Sequence, residues 1–247
     1  MTWRVPPRLV LVPVDFGDAS ARALAVGGVV AHAFSAELIG LHAEVLEAPP
    51  YFTHEQMNAL EAERQKARAS AVDYLRKYVA ARTAHPVSPR FVEEPPAAAI
   101  LRAGGAADLV VMGTHGRRGP SHWWLGSVAE RVVAASETPV MIVRAAPGAG
   151  DPAGVFGDVL TLVHRDADVA VARAWADALA SAFGGTVCDG GAAEACPRDA
   201  VNRASLVVVA VPAEVDPVSG RRVASLLRNC DRPLLFVPAT RADGGHR

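Results

Sequence analysis

The stretch "VVMGTHGRRGPSHWWLGS", Val110–Ser127, decides how this chain is read. It opens as an unbroken apolar run, as expected of a strand buried on both faces. Glycines at 113, 116 and 119 then break the run around the pair Arg117–Arg118. Trp123 and Trp124 follow, before a Gly126–Ser127 step into a new periodic segment. The pattern predicts a strand, a glycine-rich crossover and the start of a helix. Taken alone, the crossover is either an anion site or a tight turn whose glycines serve only its geometry.

Working outward, the same alternation extends in both directions. "RLVLVPVD", residues 8 to 15, is a compact apolar strand, and "ASARALAVGGVVAHAF" follows at helical period. "AELIGLHAEV" is a second strand, and the segment from Thr53 to about Arg82 a long helix with Met57, Leu60, Ala67, Ala71, Leu75 and Val79 near one stripe. "SPRFVEE" is a short strand. "PPAAAILRAGG" has proline at its start and glycines at its stop, as a helix should. After "ADLVVMG" and its crossover come a helix, "SVAERVVAASE", and a last strand, "PVMIVRA". Apolar strands alternating with helices predict a mostly parallel sheet covered on both faces.

The Gly-, Ala- and Pro-rich "APGAGDPAGVFG" from Ala146 offers no periodic face and reads as a linker. The pattern then restarts. "GSVAERVVAASETPVMIV" lies over "GRRVASLLRNCDRPLLFV" without a gap, and "AADLVVMG" matches "RASLVVVA". Between halves the middle differs: Phe34 to Leu109 is 75 residues, but Phe183 to Leu206 only 23. The second copy lacks about 50 residues, enough for the long helix and one strand. The expected fold is therefore α/β, with two Rossmann-like open parallel-sheet domains. Residues 1–146 should form five strands in the order 3-2-1-4-5, residues 147–157 the linker, and residues 158–247 a shortened repeat of about four strands.

Composition narrows the function classes. Hydrophobic residues are 51% and charged residues 21%, so the chain is expected to fold rather than remain disordered. Lys and Arg number 25 against 26 acidic residues, which supplies no overall drive towards nucleic acid. The basic residues of "RKYVAAR", 76 to 82, are interleaved with acids on an ordinary solvated helix face. No apolar run approaches a membrane span or a signal peptide, and three cysteines do not suggest a disulfide framework. A reducing cytoplasm is the expected compartment.

In an open α/β sheet, small ligands bind beyond the carboxyl ends of strands where the winding direction reverses. With the order 3-2-1-4-5, that point lies between Asp15 and Gly113, 98 residues apart in sequence. The glycines let amides approach a polyanion, and Gly126 and Ser127 offer the unpaired N–H groups of a helix start. Arg117 and Arg118 can clamp the same charge. Asp15 suits ribose hydroxyls or an amino group better than phosphate. Neither G-x-x-x-x-G-K-[S/T] nor G-x-G-x-x-G is present.

The spacing Gly113-x-x-Gly116, nine residues, then Gly126–Ser127 resembles the ATP-binding signature of the universal stress protein family. "LVPVD", residues 11 to 15, is similar to that family's first strand and nucleotide-facing aspartate. The resemblance covers roughly residues 8 to 144, with a reduced copy from about 158 to 238. It implies an adenine-nucleotide-binding protein with a regulatory or stress-response role, ATP as ligand, or ADP or AMP in its place, and Mg²⁺ as a companion ion. Carried onto this chain, it places Pro13, Val14 and Asp15 near adenosine and Leu41 under the base. Met112, Gly113 and His115 follow the ribose, and Gly116, Arg117, Gly126, Ser127 and Val128 surround the phosphates. Family members commonly pair two such domains through their last strands, so the halves are expected to pair within the chain, with a homodimer as a further arrangement.

Two features depart from that pattern. Trp123 and Trp124 stand where aliphatic residues are usual, and read as hydrophobic cover. In the second half Ala210 and Ala213 replace Gly113 and Gly116, and Arg221 replaces Ser127, so this half is expected to bind no nucleotide. Alternatives remain open at this point: a slow ATPase or nucleotidyl-transfer enzyme at the same site, or a nucleotide-free interaction module. Of the histidines, only His115 and His122 fall in the crossover, and none forms a tight metal-ligand spacing. Asp108 precedes the fourth strand at the end away from the site.

Overall fold

The computed structural model describes residues 4–45, 54–114, 126–144, 150–163, 169–193, 196–212 and 230–238, with only the backbone of 54–64. In chain order the first half has β1 (Leu9–Pro13), α1 (Asp18–Phe34), β2 (Glu37–Ala43), α2 (His54–Ala80) and β3 (Val87–Val92). It continues through α3 (Pro96–Gly104), β4 (Leu109–Gly113), α4 (Ser127–Ala135) and β5 (Val140–Val143). A 3-10 turn at Pro152–Phe156 leads into β6 (Asp158–Val163), α5 (Val169–Phe183), β7 (Thr186–Ala192), α6 (Arg198–Arg203), β8 (Leu206–Val211) and β9 (Leu234–Pro238).

The nine strands lie in one sheet, in the order β3-β2-β1-β4-β5-β9-β8-β6-β7. The first five follow the expected 3-2-1-4-5, all parallel, and the remaining four form the smaller second part. Between them β5 and β9 run antiparallel, with Val140 opposite Phe236, Met141 opposite Leu235 and Ile142 opposite Leu234. The two halves thus pair through their last strands and share one ladder. The expected second-half helix over 219–230 lies almost wholly outside the described residues.

Away from its edges the sheet is buried on both faces, which is why its inner strands are largely apolar rather than alternating, whereas the edge strands β3 and β7 are mostly exposed or half-buried. On one face Val10, Val12, Val14 and Val111 pack under α1 and α2, in a layer continued by Trp175 and Leu179 of α5. On the other, Leu11, Ile39, Leu41, Val110 and Met112 pack with Ile100 of α3 and Val132 of α4. Of the expected α2 stripe, the side chains of Met57 and Leu60 lie outside the described residues. Leu75 and Val79 are buried and Ala71 is half-buried, but Ala67 is exposed. The linker does more than join. The Asp151 carboxylate accepts the Ala153 N–H at 3.1 Å and starts the 3-10 turn. That turn buries Val155 and Phe156, the latter stacked on Phe183 at 4.4 Å between ring centroids.

Strand registers make the halves comparable residue by residue. Val10 of β1 faces Leu109 at the start of β4, and Val159 of β6 faces Leu206 at the start of β8. Likewise Leu9 faces Glu37 and Asp158 faces Thr186. Strands β6, β7, β8 and β9 therefore take the places of β1, β2, β4 and β5, with no described counterpart of α2 and β3.

Candidate functional site

The carboxyl ends of β1 and β4 lie side by side in the sheet, bringing the segments after Pro13 and Gly113 together. Leaving β1, the chain is held by β2: the Val14 N–H donates to the Leu41 carbonyl at 2.7 Å. Phe16 then takes a left-handed conformation, φ 64°, which turns the chain towards α1. The Asp15 Oδ1 accepts the Gly17 N–H at 2.9 Å, and the Ser20 hydroxyl donates to the Gly17 carbonyl at 3.0 Å. Tyr78, on α2, donates its hydroxyl to the same carbonyl at 3.1 Å. The His42 Nδ1 lies 2.7 Å from the Val14 carbonyl and donates to it.

An aromatic group backs this turn. The Phe16 ring lies 4.5 Å from that of His42, 4.9 Å from Tyr74 and 5.1 Å from Tyr78. Arg82 covers the Tyr78 ring at 3.3 Å from its centroid. Bonds and stacking together pin the Asp15 turn from α1, α2 and β2. That is the kind of support that keeps a positive-φ residue in place.

On the β4 side, Gly113 is required by packing. A Cβ there would lie 2.7 Å from the carbonyl carbon and the Cβ of Ala19, in the first turn of α1. Beyond it, buried Thr114 receives the chain back: its N–H donates to Val143 of β5 at 3.2 Å, and its carbonyl accepts the Gly126 N–H at 2.6 Å. The crossover thus leaves and returns at one point. Gly126 caps α4 in an extended conformation, φ −63° and ψ 144°, with no side-chain cap. The first helical bond runs from Glu130 to Gly126, so the amides of Ser127, Val128 and Ala129 precede it and face the crossover end.

The expected site residues divide as follows. Leu41 and Met112 are buried on the α3/α4 face, and Pro13 and Asp15 are half-buried at the end of β1. Gly113, Gly126, exposed Ser127 and half-buried Val128 stand across from them. Val14 is different: its side chain lies in the opposite core and its amide and carbonyl are both engaged by β2. His115, Gly116 and Arg117, with Arg118, Gly119, His122 and both tryptophans, lie outside the described residues. Phe16, Ser20, His42, Tyr78 and Thr114 went unrecognised in the sequence. Only Ser20 and Thr114 carried a signal, as hydroxyls beside the turn and the crossover.

Other polar residues have structural roles. Asp108 accepts the N–H groups of Arg4, Arg8 and Leu9 at 2.8, 2.8 and 3.1 Å, tying the chain's beginning to β4 away from the site. His85 bonds the Ala36 carbonyl at 2.9 Å. Among the described residues no group of three His, Cys, Asp or Glu side chains is placed to hold a metal, and no helix is long and apolar enough to cross a membrane.

This architecture is that of a doubly wound α/β protein with a topological switch point between β1 and β4. The model of the universal stress protein family matches residues 7–144, more than half of the chain, and the chain belongs to that family. A universal stress protein of Thermus aquaticus is 35% identical over 145 residues, covering 56% of this chain and 98% of that protein. One of Mycobacterium tuberculosis is 34% identical over 139 residues, covering 55% of this chain and 45% of that protein. The chain therefore spans less than half the length of that mycobacterial relative. A crystal structure of a universal stress protein from Archaeoglobus fulgidus aligns over 94% of this chain with a TM-score of 0.64 at 17% identity, a likeness of fold.

Proposed function

We propose that this chain binds an adenine nucleotide, ATP foremost, at the carboxyl ends of β1 and β4, and that occupancy alters its contacts with partners in a cytoplasmic stress response. The observation that carries this reading is the closure of the crossover at Thr114 and Gly126. It holds the α4 amides opposite the pinned Asp15 turn. The residues present fit the ligand. Leu41 and Met112 supply an apolar floor for a base, Asp15 a carboxylate for ribose or amino groups, and Gly126 to Val128 helix-start amides for phosphate. Gly116 and Arg117 complete the phosphate seat in this reading, His115 adjoins the ribose, and Mg²⁺ accompanies the phosphates.

The same reading divides the chain into a nucleotide domain, residues 1–146, a linker, 147–157, and a shortened repeat, 158–247, without nucleotide. Two differences support the silent second half. Ala210 holds the place of Gly113, by register. Where β2 has Leu41, β7 bulges at Gly190–Gly191, and Leu162 crowds the space that a Cβ at Gly190 would take, at 2.6 Å. The repeat then serves as a built-in partner through β9, and any homodimer forms elsewhere.

Titration calorimetry with ATP, ADP, AMP and cyclic AMP tests the reading. Saturable ATP binding, weaker for AMP and weakened by Asp15→Ala and Ser127→Ala, is expected. Absence of heat and of any stabilisation by millimolar ATP with magnesium would overturn it in favour of a nucleotide-free module.

A further inference from the structure

A cavity of about 330 Å³ opens where the two halves meet, outside the nucleotide site. We propose that it is a second ligand site, built for a short phosphomonoester or inorganic phosphate. Three arginines line it from three segments: Arg22 of α1, Arg144 just after β5, and Arg232 just before β9. Arg22 and Arg232 are each anchored to backbone through one guanidinium arm. Arg22 donates to the Gly150 carbonyl at 2.7 Å, and Arg232 donates to the Asn202 carbonyl. A guanidinium has five N–H donors in a rigid fork, so an arm fixed to backbone orients the others without using them up.

Charge favours an anion. Three arginines stand against two carboxylates, Asp151 and Asp231, and the Asp151 Oδ1 also accepts the Ala153 N–H at the start of the 3-10 turn. The Ser205 hydroxyl accepts the Asp158 N–H at 3.3 Å, which leaves its own proton to donate. Val143, Val155 and Pro233 make an apolar wall. Guanidinium forks match phosphate oxygens in geometry and charge. The volume lies at the lower end of the roughly 300–1,000 Å³ of small-molecule sites, which suits a short phosphoester. The first half, the linker and the second half all contribute, so neither half has this site alone.

The proposal does not rest on nucleotide binding. It is tested by nuclear magnetic resonance on the full chain, titrated with inorganic phosphate and then with glycerol phosphate. The expected result is saturable movement of the Gly150, Gly154 and Ser205 amides and of the arginine Nε–H signals, with Ser127→Ala leaving it unchanged. An Arg144→Gln/Arg232→Gln double variant should weaken binding about tenfold or more. Asp231→Asn, which removes a repelling carboxylate, should tighten it, and tests the site even if the double variant fails to fold. Shifts confined to Gly126–Val128, shifts that never saturate, no shifts, or variants that bind like the parent would overturn the proposal.

Discussion

Met141 of β5 lies opposite Leu235 of β9, and each is the second residue of its own strand. On either side the first residue of one strand faces the third of the other, Val140 with Phe236 and Leu234 with Ile142. This is the exchange rule of a two-fold axis, here within one chain. Since β8 and β9 repeat the register of β4 and β5, the axis relates equivalent strands of the two halves. The β5 edge is thereby closed by the chain's own β9, and the exposed strand edges of the described sheet are those of β3 and β7.

Leu235 is fully buried at this axis, as is Met141. Leu235→Ala should cost about 2–5 kcal/mol, and Met141→Ala a similar amount. Because the residues face each other, the double variant should depart from additivity by about 0.5 kcal/mol or more. Denaturant melts of the four proteins measure this.

Gly113→Ala tests whether that glycine serves packing. The added methyl meets the backbone of Ala19, so α1 must shift at its first turn. A loss of about 1–3 kcal/mol is expected even without nucleotide. A variant as stable as the parent that fails only to bind ATP would assign Gly113 to the ligand alone.

Tyr78→Phe removes one hydroxyl from the Gly17 carbonyl while keeping the ring beside Phe16. A cost of about 0.5–1.5 kcal/mol follows from the lost bond. Nucleotide affinity should fall as well, because the Asp15 turn is less firmly held. Equal melting and equal affinity would show that α2 does not support the turn.

The cysteines should separate by reagent and by pH. Exposed Cys188 should react first with a thiol reagent, and buried Cys230 only on unfolding. Burial pushes the Cys230 thiol above its ordinary 9.0. Its folded value lies above its unfolded value, so its contribution to stability is complete below about pH 9 and is lost as pH rises towards the folded value. Melts at rising pH should show a steeper alkaline loss for the parent than for Cys230→Ala.

The alternation of strands and helices was legible because it depends on long apolar runs, and the restart after residue 157 because of the repeated Gly-to-Pro spacing; the pairing of the halves was implied only by the family resemblance. Position 113 was legible as glycine, but its reason was not. It arises from Ala19, 94 residues earlier, which only the β1–β4 neighbourhood brings close. The positive φ of Phe16 was hidden for a similar reason. An aromatic residue is uncommon there, and it is held by Ser20, His42 and Tyr78 from three separate elements. The 3-10 turn escaped notice because five residues give no periodicity, although Val155 and Phe156 are buried. Leu41 and Met112 were named by resemblance, and both are buried in the α3/α4 layer, with β1 between their strands.

One nucleotide site is expected per chain, in the first half. Native mass spectrometry of the full chain with excess ATP and magnesium counts the sites directly. One bound nucleotide, its occupancy reduced in Asp15→Ala and unaffected by Ala210→Gly, is the predicted result. Two bound nucleotides per chain, or one whose occupancy is the same in Asp15→Ala as in the parent, would contradict it.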